Sequence, residues 1–126
     1  MPVVTCITDV GASGGYYVGV AGQVIYAQPT AMVGSIGVLL QSYDLSGLLD
    51  MIGVMSSPVK SSPMKDLNSP LRPSTEAERK VLQKIVDDLY GRFVDVVAEG
   101  RPMLERDDVL ELADGGRRDL APVPGA

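Results

Sequence analysis

Histidine and tryptophan are absent from this 126-residue chain, and cysteine and phenylalanine occur once each. Without histidine, neither a Ser-His-Asp triad nor a Cys-His pair can be assembled from its own side chains. A single cysteine excludes an internal disulfide. Together with the lack of histidine it also excludes the usual structural zinc sites, so no metal and no cofactor are expected. Cys6 sits inside the apolar run VVTCIT and is expected to be a buried, inert thiol. No apolar stretch approaches the roughly 20 residues a membrane helix needs. The opening MPVVTC lacks the charged and apolar regions of a signal peptide, so the chain reads as soluble, with no membrane segment of its own. Its net charge is −5, and no basic patch with interleaved aromatics occurs, which argues against a nucleic-acid partner.

What is present is ordinary in bulk and unusual in detail. Hydrophobic residues make up 45% and charged residues 21%, as in a soluble globular protein, and the length fits one domain. Val3–Thr8 is a short β-branched run that predicts a buried strand. Behind it comes DVGASGGYYVGVAG, where glycine and alanine surround Ser13 and a short buried helix is predicted from about Ser13 to Ala21. Val24–Ala27 reads as a further strand, and Ile36–Gln41, just after Ser35, as another. Leu45, Leu48, Leu49 and Ile52 have helical spacing and end at Gly53. VMSSPVK is a candidate strand, while residues 61–73, with three prolines, are expected to be irregular. Thr75 and Glu78 form a capping box, followed by an apolar stripe at Leu82, Ile85, Val86, Leu89, Phe93 and Val97. A helix of about 24 residues ending at Gly100 is expected there. DDVLELADGG suggests one more short helix, and the final residues no periodic structure. Strands alternating with helices point to an α/β layer architecture with a mostly parallel sheet.

The strand, small-residue turn and helix around Ser13 form a geometry that lets a hydroxyl stand clear of the backbone. A nucleophilic serine needs a base, and here histidine cannot be it. A lysine serves when its amine is neutral, which burial favours. Lys80 and Lys84 fall on the polar side of the long helix, leaving Lys60 and Lys65.

Five segments in order, SGGYY, GSIGV, K-x5-KD, SP-x-RP and a helix ending in VAEGR, resemble the catalytic core of the signal peptide peptidase A family. The likeness runs from about Pro2 to about Gly115. It implies a ClpP/crotonase-like fold and a serine endopeptidase with a Ser-Lys dyad, a core over 1–115 and a disordered or aberrant tail at 116–126. Carried over by position, the resemblance implies Ser13 as nucleophile and Lys65 as general base. Ser35 would orient the lysine amine, and the Gly14 N–H would donate to the oxyanion. Lys60 matches the first lysine of its motif and is not the base. Because a carboxylate beside the base would favour ammonium, Asp66 is expected to point away from Lys65.

The family's substrates are peptides, remnant signal peptides and unfolded segments among them. Its members form homo-oligomeric rings and are membrane-associated and extracytoplasmic, although nothing in this chain would take it there. Family members also carry an upstream membrane segment and a glycine-rich loop with a second oxyanion donor. Neither occurs in these residues, and both ends read as cut. A non-catalytic fragment or assembly module of the same fold is therefore the alternative. A crotonase-type acyl-CoA enzyme is disfavoured, because no acyl-CoA loop and no acidic group in the glycine-rich turn are seen.

Overall fold

The computed structural model describes residues 1–113; the expectation for 116–126 lies outside them. The chain divides into two compact units, Met1–Val38 with the chain from Asp88 onward, and Leu39–Asp87.

The first unit is a mixed α/β arrangement of β1 (Val4–Ile7), β2 (Val10–Ala12), α1 (Gly14–Gly19), β3 (Val24–Ala27) and β4 (Met32–Gly34). It also holds the later part of α3 (Glu76–Gly100) and all of α4 (Arg106–Leu112); α2 (Ser46–Met51) belongs to the second unit. The strands form two parallel pairs. β1 lies against β3 with Val4 opposite Val24 and Ile7 opposite Ala27. β2 lies against β4 with Val10 opposite Met32 and Ala12 opposite Gly34. Parallel neighbours require a crossover, and α1 lies on the chain path between the members of each pair.

The strand at Val3–Thr8 forms but is not buried. Thr5 and Ile7 face inward, where Thr5 Oγ1 donates to the Gly19 carbonyl at 2.8 Å and Ile7 is buried. Alternation turns Val4 and Cys6 to the other face. No described element covers that face, and Val4 and Cys6 are exposed. The expected burial of the Cys6 thiol is corrected accordingly. The expected strand at Ile36–Gln41 is absent. Pairing with the three-residue β2 places β4 at Met32–Gly34, and left-handed backbone at Gly34 and Ser35 ends it. VMSSPVK forms no strand either.

The core of this unit collects Val20, Ile36, Phe93, Val94, Val97, Val109 and Ala113. α3 supplies three of them, since Phe93 and Val97 share one helix face and Val94 is adjacent to it. Tyr16 packs on this cluster, and the Tyr17 ring meets Phe93 edge-on with centroids 5.3 Å apart. The two tyrosines thus pack towards the core cluster and α3. Tyr90 Oη donates to the Ala113 carbonyl at 2.8 Å, fastening the end of α4.

The glycines of the motif have separate jobs. A Cβ on Gly22 would stand 2.3 Å from Thr5 Oγ1 and 2.9 Å from Thr5 N; the second atom is strand backbone and cannot swing aside. At Gly14 a Cβ would meet nothing within 4 Å. Gly22→Ala is therefore expected to lower stability by about 1–3 kcal/mol through overpacking. Gly14→Ala carries no such packing penalty, a contrast that urea titration of the two variants reads directly.

The second unit holds α2, the turns that follow it and the first part of α3. Leu45 N donates to the Pro70 carbonyl at 2.8 Å, and Ser42 Oγ to Asn68 Oδ1, tying the start of α2 to the proline-rich segment. That segment is irregular as its prolines require, a succession of turns over residues 63–68. α3 opens with the expected capping box: Glu78 N donates to Thr75 Oγ1 at 3.2 Å, and Thr75 N to Glu78 Oε2 at 2.8 Å.

Candidate active site

Between the end of β2 at Ala12 and the start of α1 at Gly14, a single residue reverses the chain. That residue, Ser13, has φ 52° and ψ −120°, a conformation that crowds a β-carbon and costs about 1–3 kcal/mol. It is held there from both sides. Ser13 N donates to the Gly34 carbonyl at 2.8 Å, extending the β2–β4 ladder, and Tyr17 N donates to the Ser13 carbonyl at 2.9 Å. A serine before a helix commonly serves as a cap. Here the side chain makes no capping bond and the residue is exposed. Its hydroxyl is left for something else.

Gly14 is the first residue of α1, a position whose N–H has no intrahelical acceptor. The space where its side chain would stand is open. Ser35 lies one residue beyond the Ala12–Gly34 pair, as Ser13 does on the neighbouring strand. It too has a left-handed backbone, φ 53°, and is half-buried. The strand pairing thus brings Ser13, Gly14 and Ser35 to one end of the β2–β4 ladder.

Lys65 and Lys60 belong to the other unit. Lys65 is exposed in the turn over residues 63–68, with its N–H donating to the Ser62 carbonyl at 3.2 Å. Asp66 does turn away from it. Asp66 Oδ1 accepts from Lys60 Nζ at 2.6 Å and from Arg72 Nη2 at 2.8 Å, and Oδ2 accepts from Arg72 Nε at 2.9 Å. Lys60 also donates to the Pro63 carbonyl at 3.3 Å. Its amine is therefore committed to holding the loop.

The far side of the Arg72 guanidinium grips Glu78, with Nη1 to Oε2 at 2.9 Å and Nη2 to Oε1. Glu78 is only 3% exposed. Bonding to Arg72, then to Thr75, holds its carboxyl down to about 2. Bonding to Arg72 and then Lys60 holds Asp66 well below the usual carboxylate range. Both groups bind protons more weakly when folded than when unfolded. Their contribution is complete above the unfolded value of about 4 and is lost as pH falls towards 2 and below. Stability of the second unit is expected to drop between about pH 4 and pH 2. Glu78→Gln flattens that drop, as acid melts followed by circular dichroism will show.

Arg72 and Glu78 are the site-side residues whose pairing the sequence pattern does not display: it gives Glu78 as a cap and Arg72 as part of SP-x-RP. The one signal was that a capping glutamate with a second free oxygen stands six residues after an arginine. Among the described residues, no cluster of potential metal ligands occurs, and no helix is long and apolar enough to cross a membrane.

A family model described as peptidase family S49 matches residues 1–120. A protein of Enterococcus faecium named for signal peptide peptidase SppA is 43% identical over 115 residues, covering 91% of this chain and 33% of its own length. A Synechocystis protein named as a protease is 41% identical over 113 residues, covering 90% of this chain and 40% of itself. The chloroplastic serine protease SPPA of Arabidopsis thaliana is 32% identical over 115 residues, covering 90% of this chain and 17% of itself. The chain thus spans well under half the length of these relatives.

Proposed function

The chain belongs to peptidase family S49, and from that premise we propose that it is the core of a serine endopeptidase in which Ser13 is the nucleophile and Lys65 the general base. The observation that carries this reading is the backbone of Ser13. A serine held in a strained turn, exposed and free of any capping role, is the arrangement expected where a hydroxyl must meet a substrate.

Lys65, as the free amine, takes the Ser13 proton while Oγ forms a bond to the scissile carbonyl carbon. Negative charge moves to the carbonyl oxygen, towards which the Gly14 N–H donates. The C–N bond then breaks, and the lysine ammonium gives its proton to the departing amine. Water attacks the acyl-enzyme with Lys65 again accepting a proton, and the carboxylic acid product leaves as Ser13 recovers its hydrogen. In this proposal Ser35 has the role of orienting the lysine amine, as the family resemblance implies. The fold is of the ClpP/crotonase-like kind. The substrates are extended peptides with small and apolar residues near the cut, including signal-peptide remnants. No metal or cofactor takes part. The family resemblance, the E. faecium relative's name and the small residues flanking Ser13 support this.

A second reading has its own observation. Val4, Val10, Val24, Tyr26 and Met32 on the strands are all more than 40% exposed, which suits faces covered by further polypeptide. Self-association through them, as a homo-oligomeric ring, is compatible with catalysis and does not require it. Labelling of the intact protein with a fluorophosphonate tests whether the chain is catalytic. The peptidase reading expects one adduct, absent in Ser13→Ala. A folded protein that takes no label is a non-catalytic fragment or assembly module of the same fold.

A further inference from the structure

We propose that Arg72 is a positioning residue for the Lys65 amine, acting by keeping the neighbouring Asp66 carboxylate occupied elsewhere. The proposal rests on the reading of Lys65 as the base. A base with a carboxylate next to it in the chain faces a standing hazard: the pair can close, and the amine then keeps its proton. In this loop the hazard is met by other cations. Arg72 reaches both carboxylate oxygens of Asp66, through Nε at 2.9 Å and Nη2 at 2.8 Å, and Nη2 also reaches the Asp66 carbonyl at 3.4 Å. Lys60 adds one contact to Oδ1 at 2.6 Å.

The guanidinium is itself immobilised. Its opposite edge is bonded to the buried Glu78, which is fixed in turn by the Thr75 N–H at the start of α3. A planar fork with five donors can satisfy two carboxylates at once, which an ammonium cannot do in the same geometry. The charges also balance. Lys60 and Arg72 offset Asp66 and Glu78, so the cluster makes no demand on Lys65. Without Arg72, Lys60 alone faces two carboxylates, its own contact being to Asp66 Oδ1, and Asp66 Oδ2 loses its Arg72 partner in the residue next to Lys65.

The test is the rate of Ser13 acylation by a fluorophosphonate in the intact protein near neutral pH, with inactivation rate and initial binding constant separated. Arg72→Gln is expected to slow inactivation about tenfold or more, the reach of a newly paired opposite charge, with the binding constant unchanged within about twofold. Asp66→Asn removes the carboxylate and is expected to stay near the parent rate. The double variant Arg72→Gln/Asp66→Asn is expected to recover to the Asp66→Asn rate. A purely structural role for Arg72 predicts no such recovery. If Arg72→Gln does not fold, Arg72→Lys replaces it, with a partial slowing that Asp66→Asn again reverses.

An unslowed Arg72→Gln, or a double variant as slow as the single one, overturns the proposal. Lys65→Ala separates the two levels. If it is acylated at the parent rate, the base assignment fails and this inference with it. If it is inert while Arg72→Gln is unaffected, only the role of Arg72 is lost.

Discussion

Exchanging Ser13 for alanine is expected to abolish the proposed peptide hydrolysis, with a fall in kcat on the order of 10⁴–10⁶, as for other serine nucleophiles. The fold is expected to survive unchanged. Alanine carries the same β-carbon into the same left-handed turn, so the strain stays and the Ser13 N–H bond to Gly34 is kept. Ser13→Gly makes a sharper version of the experiment. Glycine adopts φ 52° without the clash, so this variant is expected to be equally inactive and more stable by about 1 kcal/mol. Gain of stability with loss of activity at one position marks a site where conformation serves function. Paired urea titrations and turnover of an internally quenched peptide measure both halves. Equal stability of parent and glycine variant would mean that the turn is not strained as described.

The second large effect separates two lysines five residues apart. Lys65→Ala is expected to lower kcat by about 10²–10⁴, the usual worth of a general base, with little change in stability because the side chain is exposed. Lys60→Ala removes the 2.6 Å contact to Asp66 but leaves Arg72 on both carboxylate oxygens. Its activity is expected to stay within about tenfold of the parent, the larger share of the loss falling on the acid stability of the loop. Steady-state kinetics of both variants, each with its melting curve, provide the comparison. The opposite ranking would make Lys60 the base and break the motif assignment.

How much of this was legible in the residues depended on the range of the interaction. The capping box of Thr75 and Glu78 and the helix end at Gly100 are local signals, and α3 runs over Glu76–Gly100 as they imply. Val24–Ala27 was equally plain, four β-branched, aromatic or small residues between turn formers. The strand beyond Ser35 was misplaced because apolar content alone does not choose a register. The three-residue length of β2 and the left-handed Gly34 and Ser35 choose it, and neither is written in a hydrophobic pattern. Burial of Cys6 failed for a related reason, since alternation fixes which residues share a face but not whether anything covers that face. At the site, composition excludes a histidine base from these 126 residues, and the turn around Ser13 is readable from its small residues. The clamp from Arg72 to Asp66 and Glu78 was not, because it joins residues six positions apart on either side through a proline-rich loop with no period.

If Ser13 is the nucleophile, it carries a covalent acyl group during turnover. Quenching the intact protein during turnover of a slow peptide ester, and mapping the acylated residue by mass spectrometry of its digest, reads this directly. One acyl group is expected, on the peptide that contains Ser13, and none in Lys65→Ala. Acylation at Ser35 or elsewhere, or cleavage with no acylated residue at any time, would contradict this assignment.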